Sequence, residues 1–286
     1  MRFSLLITFV IIGHISWADE TDTLNFDSLR NIEYHLEGLS YNIINGEDQS
    51  TRITSCFYFV QTLKKALQIP NSFNYPFSNL KTVSILKPDD ERFRIFTWNL
   101  LLDSGRYMYF GAIQMNRSDK LELFGLYDSS KFNRNSEYES FDNRHWVGAL
   151  YYQIHEYKYK GKKHYLLFGW DGEDEFINKK VIDVLWFDEN NNPKFGAPVF
   201  DYDGVILNRV VFKFSEKTAM LLRYESKGDI IVFAHLVPVN PMFKGKYEHY
   251  VPDGTYDYFK FQKGFWVKQD GLFSKKKDYK KVRQPE

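Results

Sequence analysis

In the segment Arg209-Val-Val-Phe-Lys-Phe214, every second residue is apolar, and two of the other three residues are basic. Its apolar residues Val210, Phe212 and Phe214 point to one face of an extended strand. Arg209 and Lys213 point to the other face. This is the pattern of a half-buried β-strand, and similar runs recur from about residue 83 to residue 267. The sequence therefore predicts a mainly β protein.

The alternating runs fall into three groups, near residues 82–128, 147–200 and 209–267. Short turns such as Lys160-Gly-Lys162 and Lys227-Gly-Asp229 connect neighbouring runs, which predicts antiparallel sheets. Three groups of strands are typical of a propeller-like fold, but no blade signature recurs at a fixed period. A sandwich or curved-sheet arrangement is an equally good interpretation.

Two amphipathic helices precede the strands. Apolar residues recur at intervals of three and four over residues 27–45 and again over residues 50–67. Asp27 is a candidate N-cap for the first helix, and Gly46 is its candidate stop. We expect residues 19–70 to form a helical pair that packs on an antiparallel β domain at residues 71–273, followed by a basic tail at 274–286.

Residues 1–18 have the pattern of a cleavable export signal. Arg2 is followed by an apolar run over residues 3–15, and small residues Ser16 and Ala18 precede the expected cleavage before Asp19. An apolar run of about 13 residues is shorter than the roughly 20 that cross a bilayer. We therefore predict an exported protein of the periplasm or the extracellular space, without stable membrane insertion after cleavage.

Charge and cysteine content narrow the class of protein. Removal of 18 of the 286 residues leaves 268, with 37 basic and 37 acidic residues, so no nucleic-acid partner is predicted. The tail at 274–286 carries a net charge of +4 and residues 19–273 a net charge of −4. Cys56 is the only cysteine, which excludes an internal disulfide, and its apolar surroundings predict a buried thiol.

Sequence motifs of common enzymes are absent. The chain has no Gly-x-Ser-x-Gly turn, no glycine-rich phosphate loop and no His-Glu-x-x-His pair. No cofactor and no metal ion are predicted for that reason. The acidic segment Phe168-Gly-Trp-Asp-Gly-Glu-Asp-Glu-Phe176 has oxygen ligands in the number that calcium requires, but a solvated turn is the simpler interpretation.

The candidate ligand-binding residues come from the aromatic excess and from that acidic segment. Aromatic residues make up 18% of the chain, which first indicates β-structure but also supplies stacking surfaces for sugars. We select these candidates: Trp98, Trp146, Trp170, Asp171 and Asp174. They favour a non-enzymatic binding protein of the cell envelope or periplasm, with a glycan or another envelope component as its partner.

The alternative function is a hydrolase that acts on an envelope or extracellular polymer. Glycoside hydrolysis uses two carboxyl groups that flank the scissile bond. The segment 171–175 offers such groups, although no spacing in the sequence selects a pair. Two carboxylates in one cleft would favour the hydrolase, whereas acids at an exposed hairpin tip would count against it.

Several segments between residues 80 and 270 resemble hypothetical exported proteins of the Bacteroidetes. The segments are Phe93-Arg-Ile-Phe-Thr-Trp98, Leu166-Leu-Phe-Gly-Trp-Asp-Gly172, Lys180-Val-Ile-Asp-Val-Leu185, Phe195-Gly-Ala-Pro-Val-Phe200 and Ile231-Val-Phe-Ala-His-Leu236. The resemblance implies export by a Gram-negative cell. It implies no site residues, because that family has no assigned activity.

Overall fold

The computed structural model describes residues 18–133 and 135–272, with side chains from Thr23 onward. The predicted export signal, apart from Ala18, lies outside the described residues. The predicted basic tail at 274–286 lies outside them as well.

The two predicted helices are present: α1 is Ala18–Asn45 and α2 is Gln49–Leu67. Gly46 follows α1 directly, as predicted, and Asp48 caps α2 by accepting a hydrogen bond of 2.7 Å from the Thr51 amide. The prediction that Asp27 caps α1 is wrong. Residues 18–26 contain neither proline nor glycine, so the helix begins earlier and Asp27 pairs within it with Arg30 at 2.8 Å.

Sixteen strands follow within the described residues. They are β1 (Ser84–Leu86), β2 (Phe93–Leu101), β3 (Tyr107–Met115), β4 (Leu123–Tyr127), β5 (Phe141–Asp142), β6 (Leu150–Tyr159), β7 (Lys162–Asp171), β8 (Ile177–Phe187), β9 (Pro193–Phe195), β10 (Phe200–Tyr202), β11 (Val205–Leu207), β12 (Val210–Ser215), β13 (Leu222–Glu225), β14 (Ile230–Pro238), β15 (Tyr250–Gln262) and β16 (Phe265–Gln269).

The strands form three sheets. The helix-covered sheet has the order β1-β2-β3-β4, and the far sheet has the order β11-β10-β16-β15-β14-β13. The middle sheet has the order β5-β9-β8-β7-β6, and β12 also pairs with β8. Between these described strands the pairing is antiparallel except for β10 and β16, which are parallel. The predicted fold class, mainly antiparallel β with N-terminal helices, is confirmed.

Hydrophobic packing stacks these elements in layers. One apolar cluster joins both helices to the helix-covered sheet, a second joins that sheet to the middle sheet, and a third joins the middle sheet to the far sheet. On β7, Leu167 belongs to the second cluster and its neighbour Leu166 to the third, and both are fully buried. The arrangement is thus a stacked sandwich, not a propeller.

The three predicted groups of strands correspond to the three sheets with one exchange. β10 begins at the last residue of the second group and β11 lies between the second and third groups, and both join the far sheet. β12, the segment with the clearest alternation, returns to the middle sheet and pairs with β8 from Val210 opposite Ile182 to Ser215 opposite Ile177. The chain therefore passes from the middle sheet to the far sheet and back.

The alternation of β12 is confirmed, but its polar face is not a solvent face. Arg209, just before the strand, is fully buried and forms an ion pair with Asp183 of β8, with 2.9 Å between Nη2 and Oδ1. The Asp183 carboxylate also accepts hydrogen bonds from the Tyr151 hydroxyl at 3.1 Å and from the Val184 amide at 2.8 Å. The Asp183 carboxylate thus has a countercharge and two hydrogen-bond donors, whereas Nε and Nη2 of the buried Arg209 have no hydrogen-bond partner among the described residues.

Two further sequence expectations concern the helical layer and the membrane. Cys56 of α2 is 3% exposed, and burial raises the pKa of its thiol. The Trp98 indole nitrogen donates to its sulfur at 3.4 Å.

None of the helices in the described part of the chain has an apolar stretch long enough to cross a membrane.

We expect Arg209→Met to lower the free energy of unfolding by about 3–5 kcal/mol, because it leaves the Asp183 carboxylate buried without its countercharge. Denaturant unfolding followed by tryptophan fluorescence measures this. The matched control is the double variant Arg209→Met with Asp183→Asn, which removes the uncompensated charge and should recover part of the loss. A double variant less stable than Arg209→Met alone would contradict the buried-pair interpretation.

We expect stability to fall as the pH is lowered from about 7 to 5. His164 is 5% exposed, and burial lowers its pKa below the usual value of 6.5, so the unfolded chain binds the proton more readily. Protonation through this range therefore favours unfolding. His164→Gln should flatten the pH dependence of the unfolding midpoint, and an unchanged pH dependence in this variant would contradict the prediction.

Candidate functional site

A polar cleft of about 440 Å³ opens where β3 of the helix-covered sheet passes beside the middle sheet. The strands β7, β8 and β12 form its floor, and one wall is lined by Ser130, Lys131, Asn133, Ser136 and Glu137. The described residues that line it are Arg106, Tyr107, Tyr109, Ser130, Lys131, Asn133, Ser136, Glu137, Val147, Asp171, Glu173, Lys179, Val181, Val211 and Lys213. A volume of this size is typical of small-molecule sites.

The ladder of the middle sheet aligns the charged residues on the floor. Asp171 of β7 lies opposite Lys179 of β8, which lies opposite Lys213 of β12. Neighbouring strands are about 4.8 Å apart, so the three side chains form one row across the sheet. The next row on the same face is apolar, with Val181 opposite Val211.

Lys179 contacts two carboxylates at once. Its Nζ lies 3.2 Å from Asp171 Oδ2 and also contacts Glu173. Burial raises the pKa of Asp171, while Lys179 and a hydrogen bond from the Tyr109 hydroxyl oppose that shift. The same hydroxyl accepts a hydrogen bond of 2.8 Å from the Gly172 amide. The Tyr109 hydroxyl is therefore held both as a donor and as an acceptor.

Glu137 brings a third carboxylate to the cleft. Its Oε1 accepts a hydrogen bond of 3.3 Å from the Val211 amide, on the open edge of β12. Its backbone carbonyl accepts from the Asn208 amide at 2.7 Å, and the Ser136 carbonyl accepts from the buried Arg209. Burial raises the pKa of Glu137. Sequence reasoning missed this residue because residues 135–140 have no periodic pattern.

Tyr107 forms the aromatic wall of the cleft, and Trp170, which is not among its described lining residues, packs against Tyr107. Their ring centroids are 5.2 Å apart in an edge-to-face arrangement, and Trp170 is half-buried. Gly172 permits this approach, because a methyl group there would lie 2.6 Å from Tyr107 Cε2. Of the two predicted candidates Trp170 and Asp171, Asp171 lines the cleft, whereas Trp170 contacts the lining residue Tyr107.

The other three sequence candidates lie elsewhere. Trp98 is 3% exposed between α2 and the helix-covered sheet, and Trp146 is fully buried with its indole nitrogen 2.9 Å from the Tyr151 hydroxyl. Neither ring has a free face. Asp174 lies at the β7–β8 turn, where its carboxylate accepts from the Phe176 and Ile177 amides at 2.8 and 3.0 Å.

A larger groove of about 570 Å³ lies on α1. Its lining comes from residues 34–42 of that one helix, and its tyrosines Tyr34 and Tyr41 are 80% and 61% exposed. The groove is a shallow surface depression without converging polar groups, so the polar cleft is the better candidate. Within the described ranges no group of three or more His, Cys, Asp or Glu residues is arranged to hold a metal ion.

Comparison with known proteins adds no relative. No family model, no curated protein and no solved structure matches this chain. The resemblance to exported Bacteroidetes proteins stays a prediction, and the function has to be argued from the cleft itself.

Proposed function

We propose that this is an exported binding protein of the periplasm or cell surface that holds a segment of glycan in the polar cleft. The observation that carries the proposal is the combination of an aromatic wall formed by Tyr107, which packs against Trp170, with a fixed polar floor formed by Lys179, Asp171 and Glu173. Export itself rests on the pattern of residues 1–18.

Sugars present hydroxyl groups around their rim and C–H groups on their faces. Carboxylates accept and ammonium groups donate hydrogen bonds, so the floor offers both partners that neighbouring hydroxyls require. The exposed part of the aromatic wall offers a surface for the apolar sugar face. Because Lys179, Asp171 and Tyr109 are already held by one another, ligand binding orders few side chains and costs little entropy.

A glycan array followed by calorimetry tests this function. We expect Tyr107→Ala to weaken glycan binding by about 1–2 kcal/mol, or roughly 5- to 30-fold, because it removes the stacking wall. Met108→Ala is the matched control, since Met108 is the next residue on β3, is 37% exposed and lies outside the cleft lining. Absence of any glycan ligand at millimolar concentration would contradict the proposal.

A hydrolase is the second candidate, and one observation favours it. Glu137 and Asp171 line the same cleft, and burial raises the pKa of both carboxyl groups. A carboxyl group with a raised pKa is suited to act as a general acid near neutral pH. We rank binding first because Asp171 is already engaged by Lys179 and Tyr109.

Product analysis separates the two candidates. A binding protein should release no new reducing ends from any glycan that it binds, over hours at micromolar protein. If products do appear, Glu137→Gln should abolish their release while binding persists, because the amide keeps the shape but loses the transferable proton. Product release that survives in both Glu137→Gln and Asp171→Asn would contradict a hydrolase at this cleft.

A further inference from the structure

A second cavity of about 360 Å³ adjoins the polar cleft. It lies between β12, the far sheet and the short 3-10 helix Tyr247–His249. Val211 and Lys213 line both spaces, so the two meet at β12. Glu137 bonds to the open edge of β12 at the Val211 amide, which places it beside the same junction.

The second cavity repeats the composition of the first. Three phenol rings line it, from Tyr202, Tyr247 and Tyr250. Its polar anchor is His235, whose Nδ1 donates to Asp257 Oδ2 at 2.7 Å, while Asp257 Oδ1 accepts from the Gly271 amide at 2.9 Å.

A strand irregularity places that histidine. The register of β14 against β15 shifts between Ala234 and Leu236, so His235 has no direct partner in the ladder. Such bulges redirect a side chain away from its regular position. Because Nδ1 is committed to Asp257, the Nε2 atom of this 43% exposed side chain remains for a ligand.

The charges around the junction are balanced in number, because the linings of the two cavities together hold five lysine or arginine residues and five carboxylates. The lining of the polar cleft includes four cationic residues, Arg106, Lys131, Lys179 and Lys213, against three acidic ones, Glu137, Asp171 and Glu173. Lys179 is shared by two of those carboxylates. Arg106, Lys131 and Lys213 form no salt bridge with a described residue, although residues 19–273 as a whole carry a net charge of −4.

Lys213 is the cation best placed to meet a ligand in both spaces. It is half-buried on β12 and its Nζ lies 5.5 Å from the centre of the Tyr247 ring. A half-buried ammonium group is screened less by salt than an exposed one, so an anionic ligand group gains more by pairing with it. A neutral ligand that covers Lys213 would instead strip water from it without compensation.

We propose that the ligand is a linear acidic glycan that runs from the polar cleft across β12 into the second cavity, with an acidic sugar against Lys213. This rests on the proposed glycan-binding function and adds two properties to it, which are a negative charge and a length that spans both cavities.

Oligogalacturonides of two and six sugars, with their carboxyl-reduced neutral counterparts, and sulfated heparin oligosaccharides of matched length are the probes. We expect calorimetry to show that an acidic hexamer binds at least about tenfold more tightly than its neutral counterpart, with affinity falling as salt is raised. The hexamer should also bind more tightly than the dimer. Comparing the affinities of the heparin and galacturonide oligosaccharides shows whether the site prefers sulfate or carboxylate groups.

Two variants test the negative charge of the ligand and the length of the ligand separately. Lys213→Gln should reduce acidic hexamer affinity at least about tenfold, whereas Lys217→Gln, exposed just beyond β12, should not. Tyr247→Ala should weaken the hexamer but leave the dimer unchanged. Thermal unfolding of each variant checks that the fold is intact.

The outcomes separate this inference from the function on which it rests. Preference for neutral glycans would overturn the acidic ligand and keep glycan binding. Equal affinity for dimer and hexamer would overturn the shared groove. No binding of any glycan would remove both proposals, and equally tight binding of duplex DNA would show a nonspecific polyanion surface instead of a glycan site.

Discussion

The buried ion pair between Asp183 and Arg209 connects the fold to the cleft. Both side chains are fully buried, because the middle sheet is covered on both faces by other sheets. A charge in that environment persists only with its countercharge and hydrogen bonds in place. The same guanidinium donates to the Ser136 carbonyl, so it also anchors the segment that carries Glu137. One interaction therefore fixes the position of β12 and one wall of the cleft.

The face of the middle sheet that carries Asp183 is buried at one end of the strands and open to the cleft at the other. Continuing the register of β12 places Arg209 beside Asp183 in a row that is wholly interior. Two rows further on, Lys179 and Lys213 lie at the cleft, where the helix-covered sheet no longer closes over them. Because side chains two residues apart share a face, the charges of the cleft lie on the same face as the buried ion pair and are separated from it by the apolar row of Val181 and Val211.

Local patterns in the sequence were sufficient to predict individual strands, but they were insufficient to predict which strands pair and pack with each other. Alternation in residues 209–214 predicted the strand, since that pattern depends only on near neighbours. It could not show that the polar face of this strand packs inside the protein, because that depends on β8, some 30 residues earlier in the chain. Trp170 and Asp171 were found through an unusual cluster of polar and aromatic residues. Glu137 carried no such signal, and the burial of Trp98 and Trp146 follows from layers that no local pattern specifies.

The state of the charges in the cleft favours selective binding over chemistry. Asp171 and Glu173 are held by Lys179, so their charges are largely satisfied before a ligand arrives. Lys213 forms no salt bridge with a described residue and stands where the two cavities meet. A site that satisfies its own carboxylates and leaves a half-buried cation for the ligand penalises neutral ligands, which cannot replace the water lost from that cation. In the proposed function, specificity for an acidic ligand arises at Lys213, the residue that the alternating pattern assigned to the polar face of β12.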